Sequence, residues 1–169
     1  LFEKISHIEL KQLEYQKSTN EKLEKVFQYI EDQTESKQKI FFDGQIYDAF
    51  SFITSIVQKA QNEIILIDGY VDVGTLNILA KKNATVDVKI YTYESDSITN
   101  NDIVNFNAQY PTLTVEKTQI FHDRFIILDG KTVYHIGASL KDAGKKCFAI
   151  SLLEDTENAM NLINRLNSI

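Results

Sequence analysis

His122 and Arg124 stand one residue apart at the head of the apolar run Phe125-Ile126-Ile127-Leu128, and the segment Gly137-Ala138-Ser139-Leu140-Lys141 follows soon after. An imidazole can attack phosphorus or move a proton near neutral pH, while guanidinium, ammonium and hydroxyl groups stabilise charge on non-bridging oxygens. Such a set, if brought together, suits an oxyanion, above all a phosphate. The sequence also holds a means of bringing it together. Asp129-Gly130 between two apolar runs is a strong signal for a two-residue hairpin turn, because both central residues of that turn need positive φ. A turn of this length pairs Leu128 with Lys131, and counting back sets Arg124 opposite His135 and His122 opposite Gly137. Alternation then places His122, Arg124 and His135 on one face, with Ser139 and Lys141 just beyond at the same end. Gly137 would let the backbone approach a substrate closely. A histidine bonded to a neighbouring carboxylate beside an exposed arginine gives the same short pattern, so the hairpin geometry carries the reading.

The elements that must hold these residues are written in the hydrophobic pattern. From Lys39 onward, short β-prone runs alternate with helical ones, which predicts an α/β domain, a mixed sheet flanked by helices, over residues 39–169. Strands are expected at Ile40–Phe42, Glu63–Asp68, Asp87–Thr92, Leu113–Lys117, Phe125–Leu128, Thr132–Ile136 and Cys147–Leu152. Helices are expected at Ile46–Ala60, Val73–Lys81, Asn101–Gln109 and Thr156–Leu166. The unbroken apolar runs at 64–67 and 125–128 predict strands covered on both faces. Residues 1–38 lack Gly and Pro and space apolar side chains helically, predicting an N-terminal helical arm, either one bent helix or two with a break at Ser18-Thr19-Asn20. Its heptad is irregular, yet its apolar stripe calls for a cover, from the domain or from another chain. Residues 32–38 read as a polar linker.

Bulk properties narrow the setting. A chain of 169 residues, 43% hydrophobic and 25% charged, can bury one sizeable core. It contains no apolar run of membrane-spanning length and no leader or lipid-anchor motif, so a cytoplasmic protein with no membrane partner is expected. The single Cys147 cannot form an intrachain disulfide, and three scattered histidines with one cysteine give no structural zinc spacing; no cofactor is expected. A net charge of −6 argues against coating nucleic acid by bulk attraction. Residues 117–146 run the other way, with Lys117, Arg124, Lys131, Lys141, Lys145 and Lys146 against Asp123, Asp129 and Asp142. That is where an anion would bind, unless the lysines merely solvate a loop. The chain opens at Leu1 rather than Met, as expected of part of a longer polypeptide.

The sequence His122-x-Arg124-x4-Asp129 followed by Gly137-Ala138-Ser139 resembles the phospholipase D superfamily motif, His-x-Lys-x4-Asp followed by Gly-Ser-x-Asn, as an Arg variant. The resemblance implies a phospholipase D-like sandwich in which His122 forms a phosphohistidine, Arg124 clamps phosphoryl oxygens, Ser139 bonds to them, Asp129 supports the site, and no metal takes part. It implies a nucleic acid or another phosphodiester as substrate. The family mechanism uses two histidines and this chain has one such motif, so a homodimer would supply the second. His135 is an in-chain candidate for the acid, and Asp68 or Asp72 for the carboxylate that orients His122, although either aspartate could instead cap the next helix. Phe41-Phe42-Asp43-Gly44-Gln45-Ile46, with His122-Asp123-Arg124 and Gly137–Asp142, is similar to a bacterial group in which such a domain follows a phage-antirepressor-like DNA-binding domain.

Two readings stay open at this stage. One is a nuclease-like phosphodiesterase working as a dimer. The other is a catalytically degenerate module that binds phosphate or DNA and pairs an upstream DNA-binding domain; Arg124 in place of Lys and the absence of an orienting Glu near Cys147 favour it, while the retained His122, Asp129 and Ser139 favour the first.

Overall fold

The computed structural model describes residues 1–34 and 37–169. The chain divides into two units, Leu1–Lys37 and Gln38–Ile169. The first is one continuous helix, α1 (Phe2–Thr34), with no break at Ser18-Thr19-Asn20. There the Thr19 hydroxyl donates to the Tyr15 carbonyl one turn back, which satisfies a side chain that would otherwise favour a cap. Ile5, Ile8, Leu13, Leu23, Val26 and Phe27 are all exposed along it. Of the expected linker, 32–34 are helical, Gln38 begins a strand, and 35–36 lie outside the described residues.

The second unit is an α/β sandwich around one mixed sheet. Its strands are β1 (Gln38–Phe41), β2 (Glu63–Ile67), β3 (Asp87–Thr92), β4 (Leu113–Lys117), β5 (Arg124–Leu128), β6 (Thr132–Ile136) and β7 (Phe148–Leu152), in the order β1-β7-β6-β5-β2-β3-β4. Helices α2 (Ile46–Lys59), α3 (Val73–Leu79) and α4 (Asn100–Gln109) cover one face, and α5 (Thr156–Asn167) covers the other. Strands β2, β3 and β4 are parallel, as crossover helices require, while β5, β6, β7 and β1 pair antiparallel.

Alternation along β2 and β5 divides the core. Ile64, Leu66, Ile126 and Leu128 point toward α2 and α3, whereas Ile67 and Ile127 pack with Ala159, Ile163 and Leu166 of α5. Both faces are therefore apolar, which accounts for the unbroken apolar runs. Two helix starts are fixed by reciprocal capping boxes, Asp72 with Thr75 for α3 and Thr99 with Asp102 for α4.

The hairpin between β5 and β6 corrects the expected register. Asp129 and Gly130 do both have positive φ, at 53° and 63°, and the Lys131 amide closes the turn on the Leu128 carbonyl at 3.0 Å. Pairing resumes one residue later than expected, with Leu128 opposite Thr132, so Lys131 is an extra residue on the β6 side. A slip of one residue turns every β6 side chain to the other face. Arg124 therefore pairs with Ile136, and His135 with Phe125.

Candidate phosphate-binding site

The site forms where the end of β2, the start of β5 and the end of β6 lie side by side. Asp68 directly follows β2 on the face shared by Ile64 and Leu66, and Arg124 opens β5 on the face shared by Ile126. After Ile136 the chain leaves β6 through Gly137 into the 3₁₀ turn Leu140–Asp142. At Gly137 a side chain would press the β7 backbone, 3.3 Å from the Ala149 carbonyl oxygen, while the Gly137 amide donates to that oxygen at 2.9 Å. One close approach that glycine permits here is to the β7 backbone.

Asp68 is fully buried and is the centre of the arrangement. Its carboxylate accepts from the Ser139 hydroxyl at 2.8 and 3.0 Å, the Leu140 amide at 2.9 Å and the Tyr70 amide at 3.0 Å. Arg124 Nε lies 3.6 Å from Asp68 Oδ1, an ion pair too long for a hydrogen bond. That Nε is buried and has no hydrogen-bond partner among the described residues. A buried carboxylate needs donors and a countercharge, and these four groups provide both.

Above this floor lies an open cleft of about 670 Å³ lined by Arg124, Gly137, Ser139, Lys141, Lys145 and Lys146, with Tyr70 and Cys147 also on its wall. Lys141 Nζ stands 5.8 Å from the centre of the half-exposed Tyr70 ring. Lys145 bonds Asp142 at 2.8 Å. That bond holds the Asp142 carboxyl below the usual carboxylate range, with Lys141 and Arg124 adding through space, and it raises the Lys145 ammonium above its ordinary value. The loop bearing Lys145 and Lys146 is clasped from the other side. The Cys147 amide donates to Asp43 at 2.7 Å and the Gly44 amide to the Gly144 carbonyl at 2.9 Å. The Asp43-Gly44 pair thus has a place in the fold, bracing one wall of the cleft.

Of the residues picked out from sequence, the structure brings Arg124, Gly137, Ser139 and Lys141 to one cleft. Ser139 is there with its hydroxyl committed to Asp68 and the Tyr70 carbonyl rather than to the opening. His122 lies two residues before β5, exposed, and forms no hydrogen bond or ion pair among the described residues. It is not part of the cleft wall. The preceding Phe121 carbonyl accepts from the Tyr93 hydroxyl at 2.7 Å, which ties that segment to the loop after β3.

Three expectations are corrected. His135 does not share a face with Arg124; its ring sits 5.5 Å from that of Phe125, and its Nε2 is 3.5 Å from Asp123. Asp72 does not orient His122, because its carboxylate caps α3 through the Thr75 amide at 2.9 Å. Asp129 lies just past the far end of β5, about 16 Å along the strand direction from Arg124, where it accepts from the amides of Gln61, Asn62 and Glu63. Its service is to the sheet and not to the cleft.

Asp68 had only a marginal place in the sequence reading. The signal was a charged residue directly following a fully apolar strand, where burial demands a partner.

The geometry can be set beside known structures. NucT from Helicobacter pylori superposes with a TM-score of 0.60 at 16% identity, covering 78% of this chain and 93% of its own. Nuc from Salmonella typhimurium, a phospholipase D family member, superposes with a TM-score of 0.58 at 19% identity, covering 78% of this chain and 91% of its own. The fold is that of the phospholipase D family. No family model and no curated protein matches the sequence. His122 precedes β5, Arg124 opens it, and the Gly137–Ser139 turn leaves the neighbouring β6. No helix among the described residues is long and apolar enough to cross a membrane.

Proposed function

We infer that this domain binds a phosphodiester of nucleic acid in the Arg124 cleft and cleaves it through His122, as a phospholipase D-type phosphodiesterase acting in a dimer. The observation that carries the reading is the cleft itself, with Arg124, Lys141, Lys145 and Lys146 converging on one opening in a chain of net charge −6. The cleft is open to solvent and flanked by an exposed tyrosine ring, which suits a polymer backbone and its bases better than a small enclosed ligand. In the reaction, a His122 nitrogen bonds to phosphorus as the bond to the leaving oxygen breaks. That oxygen takes a proton from the His122 of a second copy. Water then attacks the phosphohistidine and returns a proton to the second histidine, so no metal is required. The exposed apolar residues of α1 offer a surface for the second copy.

A second reading is favoured by two observations. The Ser139 hydroxyl is engaged by Asp68, and no carboxylate among the described residues bonds His122. These suit a module that binds phosphate or DNA without turnover and pairs an upstream DNA-binding domain. Assay of the protein in chelator on single- and double-stranded nucleic acid and on a chromogenic phosphodiester, beside His122→Ala, separates the two. Chelator-resistant cleavage lost in His122→Ala supports the enzyme. Binding without cleavage supports the module.

A further inference from the structure

We propose that Asp68 is the positioning residue of the anion site, holding Arg124 and the Gly137–Leu140 turn as one unit so that the outer guanidinium nitrogens face the cleft. The proposal rests on the reading of the cleft as a phosphate site and names the residue that positions its arginine. Asp68 is fully buried, and its two oxygens already receive the Tyr70 amide, the Ser139 hydroxyl and the Leu140 amide. Those donors come from the loops after β2 and β6, so the carboxylate is fixed before Arg124 is considered. Its remaining charge faces Arg124 Nε at 3.6 Å, and the buried Nε makes no hydrogen bond among the described residues. The guanidinium therefore turns its Nε edge inward, which leaves its Nη edge for a ligand and suits a two-pronged grip on phosphate oxygens. A lysine at this position could not satisfy both sides, since a point-like ammonium drawn to Asp68 would be withdrawn from the cleft. Arginine at 124 and aspartate at 68 thus form a matched pair, although 56 residues separate them.

The protein contains two arginines, Arg124 and the exposed Arg165, so its arginine Nε–H signals form a two-peak spectrum with an internal control. Nitrogen-15 labelled protein is titrated with inorganic phosphate as native chain, as Asp68→Asn, as Arg124→Lys and as the double variant. The expected result is an Arg124 Hε that exchanges with water far more slowly than that of Arg165, and that loses this protection in Asp68→Asn. Phosphate binding weakens about tenfold in Asp68→Asn, and Asp68→Asn adds no further loss once Arg124→Lys is present. Equal losses with and without Arg124→Lys overturn the proposal, since Asp68 would then act on the cleft without Arg124. Native Hε exchange as fast as that of Arg165 also overturns it, and needs no variant to fold. A native protein with a protected Hε that fails to bind phosphate overturns the phosphate reading of the cleft instead.

Discussion

Asp129 Oδ1 lies 2.7 Å from the Asn62 backbone nitrogen and 3.0 Å from that of Glu63, so the β5–β6 turn holds the first residues of β2. Replacing Asp129 with Ala leaves these amides, and that of Gln61, without their acceptor. The expected loss of stability is about 1–3 kcal/mol, read from urea unfolding midpoints, with phosphate affinity unchanged because the cleft is at the other strand end.

The same carboxylate makes stability depend on pH. Desolvation pushes the Asp129 carboxyl up, but hydrogen bonds from Glu63, Asn62 and Gln61, with nearby Lys131, outweigh it and hold the group below the usual carboxylate range. A depressed folded value gives stability that is fully present above the unfolded value, about 3.9, and is lost as pH falls through the folded one. Unfolding midpoints measured from pH 6 downward should fall less steeply in Asp129→Asn than in the native protein. An identical slope would exclude this contribution.

Arg124→Ala should reduce affinity for a short oligonucleotide of any sequence and lower the slope of log affinity against log salt by about 1. Lys146→Ala should act in the same direction, because Lys146 lines the same cleft. Fluorescence anisotropy at several salt concentrations provides the slopes, and unchanged slopes would place the nucleic acid elsewhere.

Gly144 has φ +81°, and a Cβ there would come within 2.6 Å of the Gln45 carbonyl oxygen and Ile46 Cα. Backbone atoms cannot step aside as a flexible side chain would. Gly144→Ala should therefore cost about 1–3 kcal/mol and should also weaken phosphate binding, since the displaced loop bears Lys145 and Lys146. Retention of native affinity would show that the clasp does not set the cleft wall.

Charges placed on α1 by Ile8→Asp and Val26→Asp should lower self-association while leaving the folding of the α/β unit intact, because both side chains are exposed in the single chain. Equal masses by light scattering at low micromolar protein, before and after substitution, would remove the arm from any dimer.

The sheet was legible because burial leaves a periodic trace. The predicted β3, β4 and β6 coincide with the observed strands, and the remaining elements of the α/β unit differ by one or two residues at their ends. The positive φ at Asp129 and Gly130 was legible too, since few residue pairs adopt it. Lys131 was not, because a bulge adds a residue without altering composition, and that residue decided on which face His135 lies. The Asp68–Ser139 bond joins residues 71 positions apart, and no local pattern encodes such a contact. Pairing of the Asp43-Gly44 segment with Gly144 and Cys147 escaped for the same reason.

Strand β1 forms one border of the sheet, and its neighbour on the inner side is β7. Lys39 stands exposed near the middle of this short strand with its ammonium 5.0 Å from the Phe52 ring centre. A charged group there discourages another chain from zipping onto the open backbone. Strand addition and fibre growth are thereby disfavoured at this border.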